Sequence, residues 1–376
     1  MDRQGPLSSV RVVEFAGIGP GPFCGMLLAD MGADVLRIDR RDAKPAKRHQ
    51  VTQRGRRSLA LDLKNPAAAA LCLELVERAD IMFEGYRPGV MERLGLGPDV
   101  ALSRNPSLVY GRMTGWGQTG PLAHSAGHDI NYIAISGALH AIGTSARPVV
   151  PLNLIGDYGG GALYLAMGLL AALVHARCTG QGQVVDAAMC DGAASLMSYF
   201  YGLRAEGSQR RERASNMLDS GAPFYEVYRC SDGEWIALGA IEPQFYAILL
   251  EKLGLEHEGL AKQMERDGWP SDKERIAAVI ARKSRAEWCA ILEGTDACFA
   301  PVLEMDEAPA HHHHRARKTF VDLAGVVQPA PAPRFSSTPG AIQGPPPMVG
   351  EHNLSALRDW GLSEELIDRL RRDSVI

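Results

Sequence analysis

Apolar and polar positions in the first half of the chain alternate between short strands and longer helices. Val10–Phe15 and Asp34–Ile38 are apolar runs typical of buried strands, and the residues between them predict a turn and a helix over Phe23–Met31. Further elements follow in the same order: helices over 66–79, 90–94 and 161–177, and strands over 80–84, 108–113 and 184–188. Because strands that alternate with helices form parallel sheets, we predict an α/β fold with a Rossmann-like, doubly wound large domain.

The pattern changes after a charged, aperiodic stretch at residues 204–215. Two alternating runs flank Ser231-Asp232-Gly233, which predicts a β-hairpin. Helices are predicted over 243–253, 271–283, 285–294 and 363–372, and a Pro-rich extended segment over 328–348. That segment indicates a C-terminus that wraps over the first domain or over a partner. We predict a large domain over 1–190 and 321–376, a linker over 191–222, and a small α+β domain over 223–320.

Composition narrows the possible partners and the compartment. A net charge of −4 argues against nucleic acid, since phosphate binding needs a basic surface. The seven cysteines are odd in number and never spaced C-x-x-C, which argues against disulfides and zinc clusters and favours the cytoplasm. The first residues hold no apolar segment, so we expect no secretory signal. The uncharged run over 158–174 directly follows Asp157, which favours a buried helix over a membrane span.

Two glycine-rich stretches carry candidate acid–base groups, His128 and Asp157. An imidazole and a carboxyl can take a proton from one face of a carbon acid and return one to the other. Each also has a simpler interpretation: a lone histidine is often structural, and Asp157 is placed to be a helix N-cap. Amides near that helix start, at Gly159–Gly161, are alternatively placed to stabilise an oxyanion. Glu242, before Pro243, either favours the helix dipole or orients His128.

Other polar motifs allow more than one interpretation. Gly17–Pro22 opens a helix, but its glycines do not fit G-x-G-x-x-G, so we predict a rigid turn and no NAD site. Arginines at predicted strand ends indicate either a polyanion site or a soluble surface; they are Arg40, Arg54, Arg56, Arg57, Arg87 and Arg93. The run His311–His314 predicts a solvated loop, because four adjacent histidines cannot all face one ion, and we predict no metal site.

Ordered motifs across the chain resemble the α-methylacyl-CoA racemases of the class III CoA-transferase superfamily. They include VRVVEFAGIGPGP, RSLALDLK, EGYRPGVMERLGLGP, AGHDINY, PLNLIGDYGGG and GAIEPQFY. The resemblance implies an interlocked homodimer in which Glu242 of one subunit faces His128 and Asp157 of the other, with Asn153 as a partner of Asp157. It also implies coenzyme A contacts at Arg40, Leu61, Asp62, Leu63, Lys64, Gly85, Tyr86, Arg87, Arg93, Gly127, Asp129, Ile130, Asn131 and Tyr132. Residues 41–53 match nothing in this pattern.

The resemblance implies a racemase or epimerase that interconverts (2R)- and (2S)-2-methylacyl-CoA thioesters. His128 and Asp157 would exchange α-protons through an enolate, with no cofactor, since CoA is part of the substrate. Because Asp157 must be protonated for part of the cycle, we expect burial to raise its pKa. In the alternative, a class III CoA-transferase, Asp157 is a nucleophile that forms an acyl anhydride. The acyl chain is left open.

Overall fold

The computed structural model describes residues 3–44, 47–260 and 262–376. The strands are β1 Arg11–Phe15, β2 Asp34–Arg40, β3 Arg57–Leu61, β4 Ile81–Glu84, β5 Val109–Thr114, β6 Gln183–Ala188, β7 Tyr225–Arg229, β8 Trp235–Gly239, β9 Phe299–Pro301, β10 Phe320–Leu323 and β11 Val326–Pro329. The α-helices are α1 Pro20–Asp30, α2 Pro66–Val76, α3 Val90–Arg93, α4 Pro98–Arg104, α5 Asp129–Ile135, α6 Ala138–Ala141, α7 Leu163–Thr179, α8 Met189–Leu196, α9 Ser198–Glu206, α10 Pro243–Leu253, α11 Trp269–Ile280, α12 Arg285–Leu292, α13 His312–Arg317, α14 Asn353–Asp359 and α15 Glu364–Arg372. A π-helix over Leu154–Ala162 runs directly into α7.

The chain folds into two compact units. The described residues of Met1–Ser136, Leu152–Met197 and Lys318–Ile376 form unit 1, and those of Gly137–Pro151 and Ser198–Arg317 form unit 2. Helix α9 of unit 2 lies inside the stretch 191–222 that was predicted as a linker, so this part of the stretch is helical.

Unit 1 is built on a six-stranded sheet with the order β3-β2-β1-β4-β5-β6. Every pair of neighbours is parallel; Val13 of β1, for example, lies beside Leu36 of β2 and Met82 of β4. This is the strand order of a doubly wound sheet, in which the order of the strands reverses between β1 and β4. The predicted α/β fold with a parallel sheet is confirmed.

Helices cover both faces of this sheet. Successive side chains of a strand point to opposite faces, so each strand contributes to both cores. Val13 and Met82 face a core that contains α2, α14 and α15. Val12 and Phe83 face the other core, with α1 and α7. Both faces are apolar, which explains the near-continuous apolar runs in the sequence.

Strand β3, at one edge of the sheet, was not predicted from the sequence. It is only five residues long, and the C-terminal segment supplies hydrogen-bond acceptors for the amides on its outer edge. The Ser58 amide donates to His352 Nδ1 at 3.2 Å, and the Ala60 amide donates to Asn353 Oδ1 at 2.9 Å. The C-terminal residues therefore return to this sheet and cover its edge strand.

The long apolar helix begins earlier than predicted, at Leu154 as a π-helix. Leu154–Thr179 is long and apolar enough to cross a membrane, and half of its most apolar window is buried. Core helices of soluble proteins meet the same criteria, so this is weak evidence for a span. Helix α7 buries Leu165, Leu169 and Leu173 and packs on β5 and β6, as expected of a core helix.

Unit 2 contains the predicted hairpin, with β7 and β8 antiparallel. A short third strand, β9, was not predicted; it pairs with β8 and completes a three-stranded sheet. Helix α10 has the predicted bounds, and with α11 and α12 it encloses a core around Phe224, Trp269 and Trp288. This region therefore contains an antiparallel sheet together with helices.

Candidate active site

A cavity of about 400 Å³ opens in unit 1 at the carboxyl ends of β1, β4 and β5. The segment after β1 contributes Gly17–Gly21, the segment after β4 contributes Gly85–Pro88, and the segment after β5 contributes Gly115 and Trp116. This is the position where doubly wound sheets bind ligands, next to the reversal between β1 and β4. Both His128 and Asp157 line the cavity.

His128 is exposed and occupies the N-cap position of α5. Its amide donates to Asn131 Oδ1 at 3.0 Å, and the Asn131 amide donates back to the His128 carbonyl at 2.8 Å. This reciprocal pair fixes the backbone at the helix start, as a capping box does. Asn131, predicted as a CoA contact, therefore holds the backbone that carries the imidazole.

Asp157 lies inside the π-helix rather than at a helix N-cap, which corrects the simpler sequence interpretation. Its Oδ2 accepts from Asn153 Nδ2 at 3.1 Å, as predicted for this pair. Burial raises the pKa of the Asp157 carboxyl, and the negative charge of Asp129 adds to the increase. The Asn153 hydrogen bond and His128 oppose that rise in pKa. The net shift has the direction expected of a carboxyl that donates a proton.

The glycines around Asp157 serve close packing rather than an anion-binding helix start. A Cβ at Gly156 would lie 2.5 Å from Asp129 Oδ2, and one at Gly160 would lie 2.5 Å from the Ala193 amide. In a π-helix the interior amides donate to carbonyls five residues earlier. The amides of Gly159–Gly161 are therefore interior, and the interpretation of these amides as oxyanion donors is wrong.

Tyr132 fills the wall of the cavity between two glycines. A Cβ at Gly115 would lie 2.1 Å from its ring, and its hydroxyl donates to the Gly127 carbonyl. Trp116 packs edge-on against the same ring, with centroids 4.7 Å apart. Gly115 and Gly127 are thus required because an aromatic ring occupies the space of their side chains.

Three of the arginines considered as anion ligands are buried in ion pairs instead. The pairs are Arg54–Asp30, Arg56–Glu14 and Arg57–Asp34, with Nε–O distances of 3.1, 2.9 and 3.0 Å. They are neither a polyanion site nor solubilising surface residues, so both sequence interpretations are wrong for them. Buried guanidinium groups need such partners because an unpaired buried charge is costly.

The other predicted CoA contacts are mainly exposed. Arg40, the last residue of β2, has a side chain that is 75% exposed and pairs with Asp42 at 2.6 Å. Lys64, Arg87 and Arg93 are also exposed. Among the predicted contacts, Gly85, Tyr86, Arg87, Gly127 and Tyr132 line the cavity. The remaining predicted contacts, outside its lining in the described part of the chain, are Arg40, Leu61, Asp62, Leu63, Lys64, Arg93, Asp129, Ile130 and Asn131.

Residues 41–53 lie beside Arg40, and Pro45 and Ala46 are outside the described residues. Within this segment an Arg41 side-chain nitrogen donates to the Ser374 carbonyl at 2.6 Å. Residues Val51–Gln53 form a 3₁₀ helix. The segment is thus tied to the C-terminus at one point.

A family model described as CoA-transferase family III matches residues 7–353. The chain belongs to this family. Among curated relatives, alpha-methylacyl-CoA racemase from Mus musculus is 47% identical, covering 98% of this chain and 97% of the relative. The Homo sapiens protein of that name is 46% identical over the same shares. A crystal structure of a CAIB/BAIF family protein from Brucella suis has a TM-score of 0.82 at 23% identity, covering 95% of this chain and all of that one.

Glu242 lies in unit 2 and is exposed. It occupies the N-cap position of α10, before Pro243. The Phe245 and Tyr246 amides each donate to its carbonyl at 3.0 Å. The carboxylate thus lies at the positive end of the helix dipole. Its orientation of His128 stays a prediction.

The histidine run of this CoA-transferase family III chain is not a loop, because His312–His314 begin α13. His311 Nε2 lies 3.0 Å from Glu293 Oε1, and His312 Nδ1 lies 3.6 Å from the same atom. Those three residues place one ligand atom each within 4.8 Å of the others. The His311 contact has the geometry of a histidine–carboxylate hydrogen bond.

Proposed function

We propose that this chain is an α-methylacyl-CoA racemase, which interconverts (2R)- and (2S)-2-methylacyl-CoA thioesters. The two racemases reported above resemble it at nearly half of all positions and along nearly their whole length. The observation that carries the proposal is that His128 and Asp157 line the same cavity. An acid–base pair at one cavity is what a two-base proton transfer requires.

The proposed reaction begins with a thioester, whose α-proton is acidic because the enolate places charge on oxygen. In one direction neutral His128 takes the α-proton, and protonated Asp157 returns a proton to the opposite face. In the other direction the roles are exchanged. The raised pKa of Asp157 supports its protonated role. Acid–base catalysis contributes roughly 10²–10⁴-fold, so positioning and electrostatic stabilisation supply the rest.

The CoA part of the substrate would meet exposed cations near the strand ends. Arg87 lines the cavity, Arg40 is the last residue of β2, and Lys64 follows β3, so all three lie at the carboxyl ends of strands. Exposed arginines at these strand ends suit the phosphates of CoA, since guanidinium groups bind phosphate through paired hydrogen bonds. The reaction needs only proton transfer, so the proposal includes no cofactor beyond the CoA of the substrate.

We further propose a homodimer in the cytoplasm. Exposed apolar side chains along α7, at Leu163, Met167 and Val174, support a covered surface, because one face of the helix carries all three. In this dimer Glu242 of the partner subunit would hold the His128 imidazole in position. The seven free cysteines support a reducing compartment.

Deuterium exchange tests the proposed function. A 2-methylacyl-CoA ester is incubated with the protein in deuterated water, and label at C2 is followed together with the configuration. We expect C2 exchange and racemisation without any second acid. Formation of a new CoA ester from an added free acid, with no C2 exchange, would instead show a transferase with Asp157 as nucleophile. A panel of branched, aryl and sterol acyl-CoA esters would then identify the preferred acyl chain.

A further inference from the structure

A second carboxyl group, Asp129, lies buried beside the acid–base pair. Asp129 follows His128 directly, begins α5, and is only 6% exposed. Its Oδ2 accepts a hydrogen bond of 2.7 Å from the Asp157 amide. Its Oδ1 is buried and has no hydrogen-bond partner among the described residues. The side chain is thus directed to the backbone of Asp157.

The π-helix explains why that backbone needs an acceptor. Amides in a π-helix donate to carbonyls five residues earlier, so the first five amides find no acceptor within the helix. Asp157 is the fourth residue of Leu154–Ala162, and Asp129 supplies the acceptor that its amide lacks. A Cβ at Gly156 would lie 2.5 Å from Asp129 Oδ2. Only glycine therefore allows Asp129 to approach this turn.

Asp129 also acts on Asp157 through charge. Its carboxylate adds to burial in raising the pKa of Asp157, whereas Asn153 and His128 lower that pKa. Tyr132, also on α5, is a further titratable group: the charge of Asp157 raises the pKa of its hydroxyl. The glycines of the π-helix are approached by Pro20 of α1 and by Met189, Gly192 and Ala193 of α8, and α8 also carries the titratable side chains of Cys190 and Asp191. Asp129 is the carboxylate whose charge favours protonated Asp157.

We propose that Asp129 is the positioning residue of the acid–base pair, which fixes the backbone that carries Asp157 and brings a second carboxylate to the pair. This inference rests on the proposed racemase function. It gives Asp129 a different role from the CoA contact that the family resemblance implies. His128 then supplies one acid–base group, and the adjacent Asp129 positions the other, Asp157.

Three variants of the full-length protein separate the two effects. Asp129→Asn keeps an oxygen acceptor but removes the charge, and Asp129→Ala removes both. Asp191→Asn is the matched control, because Asp191 is an exposed carboxylate on α8, which also packs on the π-helix. For each variant we would measure kcat, KM, the pH profile of C2 exchange, and hydrogen exchange of the Asp157 amide by NMR.

For Asp129→Asn we expect protection of the Asp157 amide to persist, kcat near neutral pH to fall about tenfold, and the acidic limb of the profile to move to lower pH. For Asp129→Ala we expect amide protection to be lost and kcat to fall about a hundredfold, with KM changed less than about threefold. The Asp191→Asn control should match the wild type in every measurement.

Two results would overturn the proposal. If Asp129→Asn kept the wild-type pH profile and kcat, the proposed charge effect would be contradicted. If the Asp157 amide stayed protected in Asp129→Ala, the proposed positioning effect would be contradicted. Failure of the underlying function gives a different result: the wild type itself would show no C2 exchange, while the amide measurement would still test the contact between Asp129 and Asp157.

Discussion

Two sets of arginines in unit 1 differ in burial although they resemble each other in sequence. The arginines of residues 54–57 are at most 8% exposed, and each meets a carboxylate of β1, α1 or β2. Arg40, Arg87 and Arg93 are exposed at the carboxyl end of the sheet. The comparison shows that burial determines whether an arginine stabilises the fold or is available to an anionic ligand.

The largest expected effect concerns Asp157, which lines the cavity and belongs to none of the buried ion pairs of the core. Replacing Asp157 with Asn should lower racemisation by about 10²–10⁴-fold, because the side chain can no longer donate or accept the proton. The free energy of unfolding should change little, since the amide still accepts from Asn153. C2 exchange and urea unfolding measure both. Retained racemase activity would show that Asp157 is not an acid–base group.

Arg56→Met tests the buried set. It leaves Glu14, which is 1% exposed, without its ion-pair partner, so the free energy of unfolding should fall by roughly 3–5 kcal/mol. Arg40→Met is the control: its ion pair is exposed to solvent, so the free energy of unfolding should change far less than in Arg56→Met. Equal losses in urea unfolding would contradict the division between the two sets.

Arg87→Met tests the exposed set. Loss of one charge-assisted hydrogen bond to a phosphate should raise KM for the acyl-CoA about tenfold, with kcat nearly unchanged. The difference from wild type should shrink as salt is added, because exposed charges are screened. Arg282→Met, an exposed arginine of unit 2, serves as the control. An unchanged KM would remove Arg87 from the CoA site.

A pH-dependent effect is expected at Glu84, a buried acid beside Arg112 at the end of β4. Burial raises the pKa of Glu84 to about 7 from its ordinary 4.5. Between these pH values the unfolded chain releases a proton that the folded protein keeps, so stability should fall as pH rises from about 4.5 to about 7. Because one pKa unit corresponds to about 1.4 kcal/mol, Glu84→Gln should remove a pH dependence of up to about 3 kcal/mol. If the free energy of unfolding of the two proteins changed equally with pH across this range, the prediction would be contradicted.

Several features of the candidate site could be predicted from sequence, because they depend on local pattern. His128 and Asp157 were identified from their glycine-rich settings, and the cavity contains both. The role of Asp129 was missed, since an acid in the first turn of a helix is also what the helix dipole favours. Its contact with the Asp157 amide joins residues 28 positions apart, and no local pattern reports such a contact.

The sequence by itself determined the alternation of strands and helices, the parallel sheet and the identity of the acid–base candidates. Apolar periodicity and glycine placement are local properties, and local properties are readable along a chain. Only the tertiary structure decided which arginines are buried, that β3 forms an edge strand covered by the C-terminus, and that Asp157 lies in a π-helix capped by Asp129. Each of these depends on partners distant in sequence, because burial and hydrogen-bond satisfaction are set by packing between elements.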